Sequence, residues 1–247
     1  MSRVRLVPYN ITSKSGRALA RGLRLLRCNI RNTRFRPRNN DIIINWGCST
    51  LPYSGRYQVI NSTEAVRNAS NKIKTFQLLG ELAVENTKDF SIAKNWIENG
   101  NFVYQRNLVA SHGGNGIKVV HSVEELEHAP LYTKGVNVDR EYRVHVVNGQ
   151  VIDYIRKSIS RENRNVNQYI RNHTQGWIFT RGGFEQNEEI KSIAIKAIQK
   201  LNLDFGAVDV IQEKETNKVY VLEVNTAPGI MGTSLQEYIT AFERNYL

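Results

Sequence analysis

Glu223 and Asn225 close an apolar run, Lys218–Asn225 (KVYVLEVN). In a strand, residues two apart share a face, so Glu223 and Asn225 point the same way while Leu222 and Val224 point into the core. The preceding run Phe205–Gln212 (FGAVDVIQ) sets Asp209 among apolar residues, and the two runs read as an antiparallel hairpin. Two carboxylates and one amide oxygen converging across a hairpin suit a hard cation such as Mg²⁺. An acid inside an apolar strand is costly unless a cation meets it. The competing reading is a structural hydrogen-bond cluster with Lys or Arg.

Two further stretches carry chemical potential. Ser111-His112-Gly113-Gly114-Asn115-Gly116 lies between two strand-like runs. Its glycines let backbone amides approach and cradle phosphate oxygens, although a plain hairpin turn has the same composition. Neither the G-x-x-x-x-G-K-[ST] nor the G-x-G-x-x-G pattern occurs, which excludes a P-loop and a dinucleotide fingerprint. In Glu141-Tyr142-Arg143-Val144-His145, the charged residues alternate onto one face and the apolar ones onto the other. A half-exposed strand looks the same.

The elements that must position these residues follow from periodicity. Arg3–Pro8, Asp41–Trp46 and Tyr57–Ile60 read as strands. Ser13 or Ser15 caps a helix running to about Cys28, with Leu19, Leu23 and Leu26 on one stripe. Helical spacing covers Thr63–Leu82, and shorter helices fit Ser91–Asn99 and Val123–His128. Asn101–Leu108 and Ile117–His121 are strand-like. Asn148-Gly149 is a strong hairpin signal joining strands Glu141–Val147 and Val151–Lys157. Ser158–Phe184 reads as a long mobile loop, Glu185–Leu201 as an amphipathic helix, and Ser234–Arg244 as a final helix.

Taken in this order, the pieces resemble the ATP-grasp superfamily of carboxylate–amine ligases over about residues 65–247. The stretch Val221–Gly229 (VLEVNTAPG) carries most of the likeness, together with FGAVDV, Asn71-Lys72 and REYRVHVVNG. The chain is similar to D-alanine–D-alanine ligases, to ligases that append glutamate to a ribosomal protein, and to short phage-encoded relatives. The resemblance implies an α+β / α/β protein with the ATP-grasp fold, two α+β subdomains gripping ATP behind a small truncated α/β domain. Its expected divisions are 1–64, 65–130 and 131–247. It further implies that Asp209, Glu223 and Asn225 hold Mg²⁺, Lys72 contacts the phosphates, and Gly113, Gly114 and Gly116 belong to a flap closing over them. Leu131, Tyr132, Thr133 and Lys134 would form the hinge presenting backbone groups to adenine, with Glu141 on the ribose. Lys157, Arg171 and Asn172 would grip the γ-phosphate or an acyl phosphate.

The departures are informative. Where the family places a second nucleotide lysine, this chain reads Val103-Tyr104-Gln105-Arg106, and Arg106 would be the substitute, a fixed cation without the compactness of an ammonium. Ala207 stands where D-alanine ligases carry an arginine, which disfavours dipeptide synthesis from D-alanine. The proline that usually follows the first lysine helix is missing from Glu81–Phe90, and a leading region of about 64 residues is short for the family. The implied reaction, on a small amino acid or an acidic peptide or protein, is attack of a carboxylate on the γ-phosphate, then attack of an amine on the acyl phosphate. That chemistry needs no side-chain nucleophile.

The chain has 247 residues and a formal charge of +11. Residues 1–40 hold eleven Lys or Arg and no acid, ten of them Arg, whereas the remaining 23 bases are balanced by 23 acids. Such a patch attracts polyanions: an acidic peptide or protein tail, nucleic acid, or a charged small molecule. An acidic acceptor is the favoured partner, since aromatics interleaved with the bases are sparse. No apolar run is long enough to span a membrane, no secretory signal opens the chain, and Cys28 and Cys48 read as reduced thiols. A cytoplasmic protein, in the host if phage-encoded, is expected, and a homodimer is common among similar ligases. The alternatives are a kinase on the same fold acting on a polyanionic small molecule, and a non-catalytic nucleic-acid-binding protein.

Overall fold

A computed structural model describes residues 3–30, 35–109, 115–160, 166–171 and 175–247. The N-terminal part builds a parallel sheet from β1 (Val4–Pro8), β2 (Leu26–Arg27), β3 (Ile42–Trp46) and β4 (Gln58–Ile60), in the order β2-β1-β3-β4. Helix α1 (Lys14–Gly22) makes the first crossover. Ser13 caps it, its hydroxyl accepting from the Gly16 amide at 3.1 Å. The helix expected to reach Cys28 ends at Gly22, because Arg24 takes a positive φ and the chain turns to pair Leu26 and Arg27 with β1. Gly22 lies so close to Ile239 that a methyl group there would approach its side chain to 2.2 Å.

The single helix expected over Thr63–Leu82 is two: α2 (Thr63–Ser70) and α3 (Lys72–Leu79). Asn71 is extended between them and accepts from the Lys74 amide, ending one helix and capping the next. The break makes Lys72 the first residue of a new helix. Next comes an antiparallel sheet, ordered β5-β8-β6-β7, of β5 (Asn86–Thr87), β6 (Val103–Arg106), β7 (Ile117–Val120) and β8 (Leu131–Lys134), packed against α4 (Phe90–Glu98). The helix expected at Val123–His128 is a single 3₁₀ turn, Val123–Glu125.

The third sheet is antiparallel: β9 (Val138–Val147), β10 (Gln150–Ile159), β11 (Trp177–Thr180), β12 (Phe205–Glu213) and β13 (Val219–Asn225), in the order β11-β10-β9-β12-β13. The long loop expected over Ser158–Phe184 therefore contains a strand, its aromatic run Trp177–Thr180 pairing with Arg156–Ile159. One face of this sheet (Tyr142, Val144, Val208, Val210 and Val221) packs on α5 (Glu188–Lys200), α2 and α3. The opposite face carries Glu141, Arg143, His145, Ala207 and Asp209. Its far end, Val147 and Phe205, is covered by Tyr238 and Phe242 of α6 (Gly232–Tyr246) and by Trp46 of β3. No helix of the described residues is long and apolar enough to cross a membrane.

The N-terminal sheet is therefore docked by a shared core and by polar contacts, chief among them a latch at Asn61. Asn61 is fully buried; its Nδ2 donates to the Phe205 carbonyl, and its Oδ1 accepts from the Asp204 and Phe205 amides. Elsewhere in this domain, Arg3 and the Arg38 amide hold the Asp41 carboxyl well below the usual carboxylate range. Cys28 and Cys48 are buried free thiols, and burial pushes Cys48 up to about 12. Asn61→Ala strands three backbone groups, the two of Phe205 buried, and should lower stability by about 3 kcal/mol in urea unfolding. A loss below about 1 kcal/mol would show that the latch is dispensable.

Candidate active site

Between the β5–β8 sheet and the charged face of the β9–β13 sheet lies a cavity of about 360 Å³. The described residues lining it include six cations (Lys72, Arg106, Lys134, Arg143, Lys157 and Arg171) and three carboxylates, Glu141, Asp209 and Glu223. An excess of fixed positive charge around a polar floor suits a polyanion. A larger cleft of about 1050 Å³ behind residues 135–140 shares part of this wall, but Asp209, Glu223 and Asn225 do not line it.

Strand register fixes the floor in rows. Arg143 of β9 faces Asp209 of β12, and Asp209 faces Glu223 of β13; Ala207 faces Asn225 in the next row. The Asn225 amide lies 3.5 Å from Asp209 Oδ2. A β-bulge between Asp209 and Val210 sets Glu223 opposite Asp209 but Val221 opposite Val210, leaving Leu222 as the extra residue. Leu222, expected in the core, consequently lines the cavity, and Val221 is buried instead.

Each floor carboxylate meets a cation. Arg143 Nε and Nη2 donate to the two Asp209 oxygens at 2.7 and 2.8 Å. Burial alone would raise the Asp209 carboxyl, but Arg143 overrides it and holds the group low and ionised. Lys72 Nζ lies 2.8 Å from Glu223 Oε1, reaching from the start of α3 across to β13. Lys157 is hydrogen-bonded to Glu141, its cross-strand neighbour, and to the Arg171 carbonyl. Burial raises Glu141, opposed by Lys157.

The remaining expected residues are distributed around this floor. Arg106 lies over the Phe76 ring, 5.7 Å to its centroid, with Nε 3.4 Å from Thr133 Oγ1. Lys134 pairs with Glu85 at 2.8 Å. The Tyr132 side chain does not reach the cavity. It is fully buried in the core under α4, donating to the Glu127 carbonyl. Arg171 stacks on Trp177 and donates to the Val138 carbonyl at 2.7 Å, at the β8–β9 end of the cavity. Gly116 has φ +72° and packs against Leu108. Gly113, Gly114 and Asn172 lie outside the described residues.

Two lining residues escaped the sequence reading of the site. Arg143 was visible in the alternation of Glu141, Arg143 and His145, but nothing in the sequence says that Asp209 is its partner. Phe179, from the supposed loop, stacks under the Arg143 guanidinium at 4.7 Å. The oxygen donors Asp209, Glu223 and Asn225 fit a hard cation. An arginine fork uses one lone pair on each Asp209 oxygen and leaves others for a metal. Among the described residues, no three His, Cys, Asp or Glu side chains gather as a metal cluster, so the amide is needed to complete the set.

Arg143→Ala leaves Asp209 buried without its partner and should cost about 2 kcal/mol in thermal or urea unfolding. The double variant Arg143→Ala/Asp209→Asn should recover most of that loss. A double variant no more stable than the single would show that the pair is not coupled.

Residues 131–242 match the RimK-like ATP-grasp domain. The chain is 27% identical over 205 residues to the coenzyme gamma-F420-2:alpha-L-glutamate ligase of Methanococcus maripaludis, covering 74% of this chain and 67% of that protein. In fold it is similar to the ATP-grasp ligase PsnB complexed with a minimal precursor: TM-score 0.66, 16% identity, 97% of this chain and 99% of that one. A RiPP-associated ATP-grasp ligase of Chryseobacterium gregarium, in complex with ADP and a leader and core peptide, also gives 0.66, at 13% identity over 98% and 96% of the two chains. Residues 131–242 thus match a RimK-like ATP-grasp domain, and the chain is similar to an ATP-grasp glutamate ligase in sequence and to ATP-grasp ligases in fold.

Proposed function

We propose that the chain joins an acidic peptide or protein segment to an amine through an acyl phosphate made from ATP. The observation that carries this reading is the cavity whose floor sets Asp209, Glu223 and Asn225 side by side under a surplus of cations. Adenine would sit by the β8–β9 link, where Ile211 and Leu222 give an apolar floor, and the ribose beside Glu141. The triphosphate would then run along β9 toward Arg143, with Lys72 and Arg106 above it. Mg²⁺ would be held by Asp209, Glu223 and Asn225, and it would supply charge neutralisation for the transferred phosphoryl group.

On this reading, the side chains position and neutralise. An oxygen of the substrate carboxylate attacks the γ-phosphorus and ADP leaves. The amine then attacks the acyl carbonyl, phosphate departs, and the amine's proton goes to solvent. Lys72, now on Glu223, is within reach of the phosphates from the first turn of α3, where backbone amides also favour anions. Arg143 is fixed by Asp209 and Phe179, so its charge needs no reorganisation during the reaction.

The basic N-terminal domain supports an acidic partner. Arg3 is engaged by Asp41, but Lys14, Arg17, Arg21 and Arg24 are exposed along α1 and the turn after it. Two neighbours in fold space were solved with precursor or leader peptides, which makes a peptide the substrate class to test first.

Glu223→Ala should reduce ADP release, measured with Mg²⁺, ATP and a panel of amino acids and glutamate-rich peptides, by about a hundredfold or more. The folded variant turning over at the wild-type rate would remove the metal assignment. Phosphate left on the acceptor, in place of an amide, would mark a kinase. Binding of a glutamate-rich peptide, followed by fluorescence anisotropy, should weaken steeply as salt rises from about 0.05 to 0.5 M. Salt-independent binding would remove the role given to the arginines.

A further inference from the structure

The cations around the floor do not all hold their carboxylates in the same way. Arg143 meets Asp209 with a fork, Nε and Nη2 on separate oxygens, from a neighbouring strand and against the Phe179 ring. Lys157 meets Glu141 across the β9–β10 pair. Lys72 differs. Its ammonium touches a single oxygen, Glu223 Oε1, at 2.8 Å, and it arrives from the start of α3 at the end of a flexible aliphatic stem. The Lys72 side chain is 9% exposed and that of Glu223 26%, so Glu223 opens to the cavity while the lysine closes one of its oxygens.

Charge decides what can join them. Asp209 and Glu223 are balanced by Arg143 and Lys72, and Arg106 over Phe76 adds a further positive charge, pulled down by burial and supported by the Glu223 carboxylate. A bare divalent cation would therefore enter a field that is already positive. It would have to share Glu223 with the ammonium at close range, or expel an ammonium that is largely buried. A nucleotide reverses both effects. Its phosphates bring more negative charge than one divalent ion brings positive, and they offer the Lys72 ammonium a new partner beside the first turn of α3. Glu223 is then released at the step that also supplies phosphate oxygens for a metal.

We propose that Lys72 is a resident counter-ion that makes the metal position selective for nucleotide-borne metal: it holds Glu223 until phosphates draw it away, so the chain takes Mg²⁺ with nucleotide and not alone. This rests on the ligase reading of the cavity and on the donor set Asp209, Glu223 and Asn225. Arg143 plays no such part. Its fork is fixed by strand register and by Phe179, and Asp209 keeps lone pairs for a metal beside it. The order of events follows: the anionic nucleotide enters, the lysine passes from carboxylate to phosphate, and Glu223 turns from ion-pair partner to metal ligand. Metal and nucleotide are thereby coupled through one side chain, and each tightens the binding of the other.

The test titrates Mn²⁺, which seeks the same oxygen ligands as Mg²⁺, into the full chain and follows the EPR signal of the free ion, with and without a non-hydrolysable ATP analogue. Equilibrium dialysis reports binding of the analogue itself. The wild-type chain should bind Mn²⁺ about tenfold or more weakly alone than with the analogue. The decisive variant is Lys72→Met, which should bind Mn²⁺ alone about tenfold or more tightly than the wild type. Lys72→Gln should do the same, and it replaces the methionine variant where that one folds poorly. Lys72→Met/Glu223→Gln should lose the gain, which places it at Glu223. Wild-type chain that takes Mn²⁺ alone as tightly as with the analogue overturns the proposal. So does a lysine variant that binds Mn²⁺ alone no better than the wild type. Wild-type chain that binds the analogue but no Mn²⁺ in its company overturns the metal assignment, and one that binds neither overturns the ligase reading. The proposal falls with either, and the wild-type titrations alone tell these failures apart.

Discussion

Three carboxylates on the cavity floor, set in a largely apolar sheet, must each be met by a cation, and this constraint organises the molecule. Asp209 and Glu141 are nearly inaccessible, and an unpaired ionised carboxylate at such a depth is costly enough to be neutralised or expelled. Arg143, Lys157 and Lys72 answer them from three different elements. Arg143 and Lys157 come from strands adjacent to their partners, so the sheet's register alone brings them together. Lys72 comes from a helix on another layer, and its pairing with Glu223 requires α3 to begin where it does. On the proposed reading, the charges that answer these carboxylates are those a Mg²⁺-bound triphosphate would redistribute.

Two local irregularities make that arrangement possible. The Asn71 break redirects the helical segment so that a lysine stands at a helix N-terminus over the sheet. In an uninterrupted helix, Lys72 would be one more residue on a continuing stripe. The bulge at Leu222 lets β13 supply a buried valine on one side and a cavity-lining leucine on the other within two residues. Without the bulge, strict alternation would turn Val221 toward the cavity and bury Leu222. An apolar floor for the flat part of a ligand and a charged floor for its anionic part are thus obtained from one short strand.

The sheet strands and the convergence of Asp209, Glu223 and Asn225 were legible because alternation and hairpin turns are local signals. The helix break, the early end of α1 and the bulge were not. Each depends on a capping side chain or a register shift whose cost is recovered through distant partners such as Glu223, β1 and Val210. Trp177–Thr180 illustrates a different failure. Its aromatic run has strand character, but the polar residues around it pointed to a loop, and it is stabilised as a strand by pairing with Arg156–Ile159 and by cation–π contact with Arg143. The role that resemblance implies for Leu131–Lys134 concerns backbone groups, and the Tyr132 ring is left to serve the core beneath α4.

The distribution of cores explains why these parts are connected as they are. The N-terminal sheet and the far end of the β9–β13 sheet share one apolar cluster, in which Trp46 stacks on Phe205 with ring centroids 5.4 Å apart. The β5–β8 sheet keeps a separate core of its own with α4. Its ties to the rest are fewer: Leu131 reaching into the main core, Phe102 and His121 against Tyr169, the Lys72 amide donating to the Val109 carbonyl, the Tyr104 hydroxyl donating to the Tyr169 carbonyl, and Arg106 over Phe76. Such scattered contacts are weaker and more easily exchanged than the continuous apolar interface that joins the other two sheets. The Asp209–Glu223–Asn225 floor and the N-terminal domain are therefore one packed unit, and the roof of the cavity is the part held by replaceable interactions. A site that must admit a nucleotide and then exclude water needs that division, with the rigid contacts beneath the reacting groups and the exchangeable ones above them.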